Sequence, residues 1–468
     1  MTAAKDEPLR RDIGFFGSAF LSFNGVVGGG IFALPATLYA KFGAFSPFLF
    51  PLFGILVLLV AIPFSRVAAR HPLSGGPVVY AAAFGPAAAF QTGWLYYVAR
   101  TTALAANATL LVKYLAIWAP VLATGVPRGI VIVAIAALLT FINIVGVKRA
   151  VRVLDALTIL KATPLIVAAI VGLAVTGAVE SPGPLPPLSD LEAAALLILF
   201  AFVGFENSVV AAGETTDPRR TIPRALLTTV IATAILYFLV QLSYVAVMEP
   251  GASETPMVDF GRALMGPAGA VLLTAAAVFS LLGNISGGMT GTTRATYAMG
   301  RDGILPGWFG RVSGRFATPA NSIAFMGALI AVLALSGSFV WLAVVSTLAR
   351  MFVYSISIAS LAKPGPILPG HPVIPAEAGT SSGSAAGTSR PGIPASAGTT
   401  GVDPAEAPAS SGAAARPLIW LMILPAVAVC AWAASQSSWE SWRMLLVLVA
   451  AGTILYAIAR RGRVSPRD

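Results

Sequence analysis

The sequence predicts an all-α polytopic membrane protein with about twelve transmembrane helices. Three observations lead there: scarce charge, long apolar runs at regular intervals, and a one-sided placement of the cations between them. Of 468 residues, 57% are hydrophobic and 10% charged, with a mean hydropathy of +0.84. Soluble domains carry about 25% charged residues, so the deficit calls for a low-dielectric solvent. The runs 49–63, 129–147, 164–179 and 231–248 hold no charge and approach the roughly 20 residues that span a bilayer as a helix. Backbone groups in lipid must be satisfied within the segment, which selects helices. The strict alternation of a membrane β-barrel is absent.

Taken in order, the expected spans lie near 13–38, 46–69, 87–116, 129–147, 153–177, 190–213, 222–248, 266–297, 319–337, 339–362, 417–435 and 442–460. The third and eighth are long enough to tilt strongly, and Phe84-Gly85-Pro86 breaks the chain before the third. The first apolar segment is too long for a signal-peptide core and lacks a small-residue cleavage pattern, so it is expected to remain as a helix. Trp118, Trp341, Trp439 and Trp442 sit near span ends as interfacial anchors.

The net charge is +11 and the isoelectric point about 10.1. In a soluble chain that balance would raise nucleic acid as a partner; here the cations fall between spans, on alternate sides. Lys5, Arg10 and Arg11 precede the first span, and Arg66 and Arg70 follow the second. Lys148, Arg149 and Arg152 follow the fourth; Arg219, Arg220 and Arg224 follow the sixth. Arg301, Arg311 and Arg315 follow the eighth, Lys363 the tenth, and Arg460, Arg461 and Arg463 the last. The opposite loops 181–190 and 249–260 are free of cations or acidic. By the positive-inside rule both termini are cytoplasmic, and the default membrane is a bacterial inner membrane. No nucleic-acid partner is expected.

Cys430, His71 and His371 are the whole complement of cysteine and histidine. No disulfide framework, metal site or cofactor is expected from them, nor an enzyme's nucleophile–base pair. A channel would want a continuous polar filter, and none is seen. The oligomeric state is left open.

Residues 364–416 differ in kind, with Pro, Gly, Ser, Thr and Ala dominant and no aromatics. Such a segment cannot bury a core and is expected to be a disordered cytoplasmic loop. Its crude duplication, Ile374–Thr380 against Ile393–Thr399, reads as a neutral insertion more readily than as a regulatory peptide array.

Two spans are interrupted by irregular sequence at corresponding places: Val26-Val-Gly-Gly-Gly-Ile-Phe32 in the first and Gly204-Phe-Glu-Asn-Ser208 in the sixth. Paired broken helices point to a transporter built on an inverted repeat, with its site at the bilayer midplane. Gly28, Gly29 and Gly30 permit unwinding and would expose amides at a helix start, where an anion binds well. A small-residue packing face is the other reading of the same triplet.

Val26–Pro35 resembles the first-helix signature of the amino acid–polyamine–organocation (APC) superfamily of permeases. Phe200-Ala-Phe-Val-Gly-Phe-Glu206, Glu214-Thr-Thr-Asp-Pro-Arg-Arg-Thr-Ile-Pro-Arg-Ala225, Met299-Gly-Arg-Asp-Gly-Ile-Leu-Pro306 and Pro72-Leu-Ser-Gly-Gly-Pro77 resemble further segments of that superfamily, in the same order. The resemblance covers nearly all of the chain outside 364–416. It implies a LeuT-type five-plus-five inverted repeat plus two C-terminal helices. The chain then divides into a cytoplasmic tail 1–12, a first repeat 13–177, an inverted repeat 190–362, the loop 364–416, two helices in 417–460 and a tail 461–468.

It also implies transport of an amino acid or related amine, by proton-coupled uptake or by exchange; a sensor on the same scaffold is the remoter alternative. The amides of Gly29 and Gly30 would hold the substrate carboxylate, and the carbonyls of Val26, Phe200 and Val203 its α-amino group. Glu206, an acid within a span, is functional by default and is placed by the resemblance in an outer gate near Tyr96, whose hydroxyl would donate to it; a structural ion pair or a protonated, hydrogen-bonded acid is the alternative. Lys161 lies too deep to snorkel. A low dielectric disfavours an ammonium against its neutral amine, and proton-coupled members have a lysine here, so Lys161 is the expected coupling residue unless its charge is purely structural. Arg100 either lines the side-chain pocket, repelling cationic cargo, or neutralises Glu206. Together with Gly288-Met289, where members that select cations often carry tryptophan, it weighs against an arginine or polyamine exchanger. Arg350 reads as a structural or gating charge.

If the loop is neutral, deleting residues 366–410 leaves uptake and thermal stability nearly unchanged, because a segment without burial contributes little. Lost uptake by a correctly inserted deletion protein would assign the segment a function.

Overall fold

In a computed structural model of the chain, the described residues are 11–71, 75–146, 150–176, 181–301, 303–363 and 415–461. The side chains of 150–158, 415–418, 460 and 461 are not described. The readings on Lys5, Arg10, 72–74, Lys148, Arg149, the Arg152, Arg460 and Arg461 side chains, His371, Arg463 and nearly all of the loop 364–416 lie outside them.

The regular structure of the described residues is helical, with one isolated bridge between Ile13 and Thr215. The helices are α1 (Phe15–Val26), α2 (Gly29–Ala33), α3 (Pro35–Phe42), α4 (Leu49–Arg70), α5 (Pro77–Ala81), α6 (Pro86–Leu115), α7 (Gly125–Val145) and α8 (Ala150–Thr176). They continue as α9 (Leu188–Phe200), α10 (Asn207–Val210), α11 (Pro218–Val247), α12 (Pro256–Arg301), α13 (Ala320–Ser336), α14 (Phe339–Ala359), α15 (Ala415–Ser435) and α16 (Trp439–Arg461). Helices overlap every expected span, and among the described residues eight helical stretches are long and apolar enough to cross a membrane. The chain is thus an all-helical polytopic membrane protein.

Proline places many of the starts. Pro35, Pro77, Pro86 and Pro218 stand in the first turn of α3, α5, α6 and α11, where the missing N–H costs nothing. Gly85, with φ +100°, turns the chain into α6. Within α12, Met265 and Gly266 leave helical geometry just before Pro267, because proline removes a helical hydrogen bond and restricts its predecessor. That kink separates a leading segment, 256–265, from the span expected at 266–297.

α6 is buried along most of its length and packs on α14, α12 and α13. The rim is the opposite: on α7, Ile130 is 62%, Leu138 56% and Phe141 62% exposed. Apolar side chains facing outward from an all-helical bundle are what a hydrocarbon solvent covers.

Both interruptions exist, with shifted bounds. The first is confined to Val27 and Gly28, and helix resumes at Gly29. The second occupies 201–206, beginning three residues before the expected Gly204. The shift has a packing cause, since the breaks meet backbone to backbone. A Cβ on Gly25 would lie 2.5 Å from the Gly204 carbonyl oxygen, and one on Gly30 would lie 2.7 Å from Ala201 Cα. Gly204 itself sits at φ +113°, a region that favours glycine. Ser22 Oγ reaches across to donate to the Phe205 carbonyl at 2.7 Å.

Gly204→Ala places a methyl group against the backbone of Gly25 in an unfavourable backbone conformation. It is expected to lower stability by about 1–3 kcal/mol, read as a drop in the thermal unfolding midpoint of the purified protein in detergent. An unchanged midpoint contradicts this reading of the crossing.

Candidate functional site

Interrupting α1 frees the carbonyls of Asn24, Gly25, Val26 and Val27 from their helical donors. Each is taken up by a side chain from another helix. Lys161 Nζ donates to the Asn24 carbonyl at 3.1 Å, to Asn24 Oδ1 at 2.7 Å and to the Val27 carbonyl at 2.8 Å. Asn284 Nδ2 donates to the carbonyls of Asn24 and Gly25 at 2.8 and 3.0 Å. The Tyr237 hydroxyl donates to the Val26 carbonyl at 3.2 Å, and Ser280 Oγ to that of Val27 at 3.1 Å. On the other side of the break, the first amides of α2 are orphan donors by position. That of Gly29 donates to Asn107 Oδ1 at 3.0 Å, and Asn107 Nδ2 donates to Asn284 Oδ1 at 2.9 Å.

In the second interruption, the Gly204 amide donates to Glu206 Oε2 at 2.9 Å. Glu206 also pairs with Arg350 Nε at 3.1 Å and accepts from the Tyr354 hydroxyl at 2.9 Å. Both charged side chains are fully buried. Arg350 Nη1 continues to Ser346 Oγ at 2.5 Å and to the Ala99 carbonyl at 3.3 Å.

Between the two interruptions lies a small cavity. It is lined by all seven residues expected to bind substrate: Val26, Gly28, Gly29, Gly30, Arg100, Phe200 and Val203. Asn107, Asn284 and Arg350 join them, three residues the sequence reading did not place there. The available signal was a polar side chain inside an apolar span, which does not tell which face of the helix it occupies. The Phe200 ring meets Phe339 edge to face at 5.6 Å between centroids. Lys161, Glu206 and Tyr96 are buried but line no part of this cavity. Lys161 supports the break from behind, and Glu206 lies beyond it.

Two expectations are corrected. The hydroxyl donating to Glu206 is that of Tyr354 instead of Tyr96, because Arg350 and Tyr354 are four residues apart on one face of α14. The ion-pair contact of Glu206 is with Arg350 instead of Arg100. Glu206 also follows the break on the side leading to Thr215, whose bridge to Ile13 marks the N-terminal end of the bundle. At the same end Glu214 pairs with Arg294 at 3.0 Å. Two of the three carbonyls expected for an α-amino group are already engaged: Val26 by Tyr237, and Phe200 by the Val203 amide at 3.3 Å.

A helical bundle crossing the membrane many times, with two interrupted helices enclosing a polar cavity, defines a membrane transporter by class. The family described as amino acid permease matches residues 13–363, and the chain belongs to it, within the APC superfamily; it is a transporter and not an enzyme. Its relatives include the cadaverine/lysine antiporter of Escherichia coli (strain K12), 30% identical over 332 residues, which are 69% of this chain and 72% of that protein. An uncharacterized transporter of Mycobacterium tuberculosis (strain H37Rv) is 32% identical over 344 residues, 70% of this chain and 74% of that protein.

A side chain at either glycine of the cradle collides with its surroundings. A Cβ on Gly29 would lie 2.5 Å from Asn107 Oδ1 and 2.8 Å from the Phe339 ring. Gly29→Val and Gly30→Val are therefore expected to abolish substrate binding in protein that still inserts and purifies. Normal affinity in either variant, by radioligand binding, would remove the cavity from consideration.

Proposed function

We propose that this chain moves an amino acid across a bacterial inner membrane by alternating access, driven by a proton gradient through Lys161. The scaffold proposed is about twelve membrane-crossing helices in a LeuT-type five-plus-five inverted repeat with two further helices, both termini cytoplasmic. The observation that carries the reading is the convergence of orphan amides and carbonyls from two interrupted helices on one cavity. A zwitterion has a group for each set. Its carboxylate replaces Asn107 Oδ1 at the Gly29 and Gly30 amides, where the start of α2 favours negative charge. Its ammonium takes the carbonyl of Val26 from Tyr237, along with those of Phe200 and Val203. The Phe200–Phe339 contact closes the outer side, and the Glu206–Arg350–Tyr354 group closes the inner side.

Lys161 on α8 holds α1 through three neutral acceptors at Asn24 and Val27. An ammonium has three protons to donate and no lone pair. Losing one proton weakens the hold of α8 on the break and frees α1 to move for the return step. The E. coli relative's name, an antiporter, favours a second mode, exchange of one substrate for another.

Uptake into proteoliposomes is expected to rise as external pH falls, to need no sodium and to collapse with a protonophore. Lys161→Ala is expected to lose concentrative uptake while retaining measurable substrate binding. Accumulation by that variant under a proton gradient would contradict the coupling role, and uptake that needs internal substrate and ignores pH would establish exchange.

A further inference from the structure

The cavity carries more positive charge than the protein around it balances. Arg100 and Arg350 both line it, and they are 3% and 0% exposed. The ion pair there joins Arg350 to Glu206, which leaves Arg100 without a carboxylate partner among the described residues. Two guanidinium nitrogens are buried with no acceptor: Arg100 Nε and Arg350 Nη2. Arginine keeps its charge in proteins, and a charge buried without a counter-ion is costly in a membrane. The surroundings also leave room for the Arg100 head. On α12, a Cβ on Gly288 would lie 3.0 Å from Arg100 Nη2, so any larger residue there would push the guanidinium aside. Within the group of Arg100, Arg350 and Glu206, two positive charges meet one negative, an excess of one; Lys161, behind the break, is held by neutral acceptors of its own.

We propose that the cargo of this site is an amino acid with an acidic side chain, of the aspartate–glutamate class. Its main-chain carboxylate lies on the amides of Gly29 and Gly30, and its side-chain carboxylate is bound by Arg100 together with the free nitrogen of Arg350. A dicarboxylic amino acid carries one net negative charge, which cancels the excess. A guanidinium offers the paired donors that a carboxylate accepts in parallel. A lysine or diamine side chain would meet the same guanidinium with like charge. An amide side chain would fit sterically but leave the charge unbalanced. The proposal rests on the amino-acid reading above and specifies its substrate.

The test is displacement of a radiolabelled amino acid from the purified full-length protein, with L-aspartate, L-glutamate, L-asparagine, L-glutamine, L-lysine and cadaverine as competitors. The acids are expected to bind roughly tenfold to hundredfold more tightly than their amides, the value of a charged hydrogen bond. Arg100→Gln is expected to erase that difference while still binding the amides, which also shows that the variant is folded. Arg100→Lys is expected to keep the order of preference. Equal binding of acids and amides, tighter binding of lysine or cadaverine, or an unchanged preference in Arg100→Gln overturns the proposal and leaves amino-acid transport standing. Failure of every amino acid to bind overturns both.

Discussion

In a hydrocarbon surround, a backbone carbonyl released from its helix has no water to turn to, and the centre of this protein is arranged around that constraint. Breaking α1 at Val27 and Gly28 releases four consecutive carbonyls, and four other side chains come to them: Lys161, Asn284, Tyr237 and Ser280. These side chains lie on α8, α11 and α12, so satisfying one interruption ties three further helices to α1. The interruption therefore organises the bundle around it. Asn107 and Tyr237, which occupy the Gly29 amide and the Val26 carbonyl, hold them through single neutral hydrogen bonds. Each of these is worth about 1 kcal/mol, which a charged carboxylate or ammonium can exceed.

Charge is handled by the same economy. Glu206 and Arg350 are fully buried and share their remaining hydrogen-bonding capacity with Gly204, Tyr354, Ser346 and Ala99. Such further bonds offset much of the cost of burying a pair, although Arg350 Nη2 is left without an acceptor. The pair links α14 to the stretch between α9 and α10, so a rearrangement of either interruption must either carry the pair along or break it. Among the described residues Arg100 makes no ion pair and its Nε has no acceptor, and with Arg350 it gives the cavity a positive character.

α6 shows why hydropathy is a poor guide to the middle of such a protein. Its polar content, with Thr92, Arg100, Thr101, Thr102, Asn107 and Thr109 all buried, lowers its mean apolar character, and it is missing from the eight stretches that qualify as spans by composition. Yet it is among the most enclosed helices, because those polar groups face other helices instead of lipid. Thr101, Thr102 and Thr109 return their hydroxyls to carbonyls one turn earlier.

The sequence by itself determined the helical class, the approximate spans, both interruptions and the glycine cradle, because these depend on local chemistry: apolar length, proline at helix starts, and glycine where backbone must approach backbone. It also singled out Arg100, Lys161, Glu206 and Arg350, since a charge in an apolar run stands out wherever it points. Only the tertiary structure decided who meets whom. Tyr354 in place of Tyr96, Arg350 in place of Arg100, and Asn107 and Asn284 at the cavity are matters of helix rotation and register between elements far apart in sequence. A turn of one residue rotates a side chain by about 100° around the helix axis. The onset of the second break at Ala201 has the same origin: the local sequence permits unwinding at several residues, and the close approach of Gly30 and Gly25 selects which ones unwind.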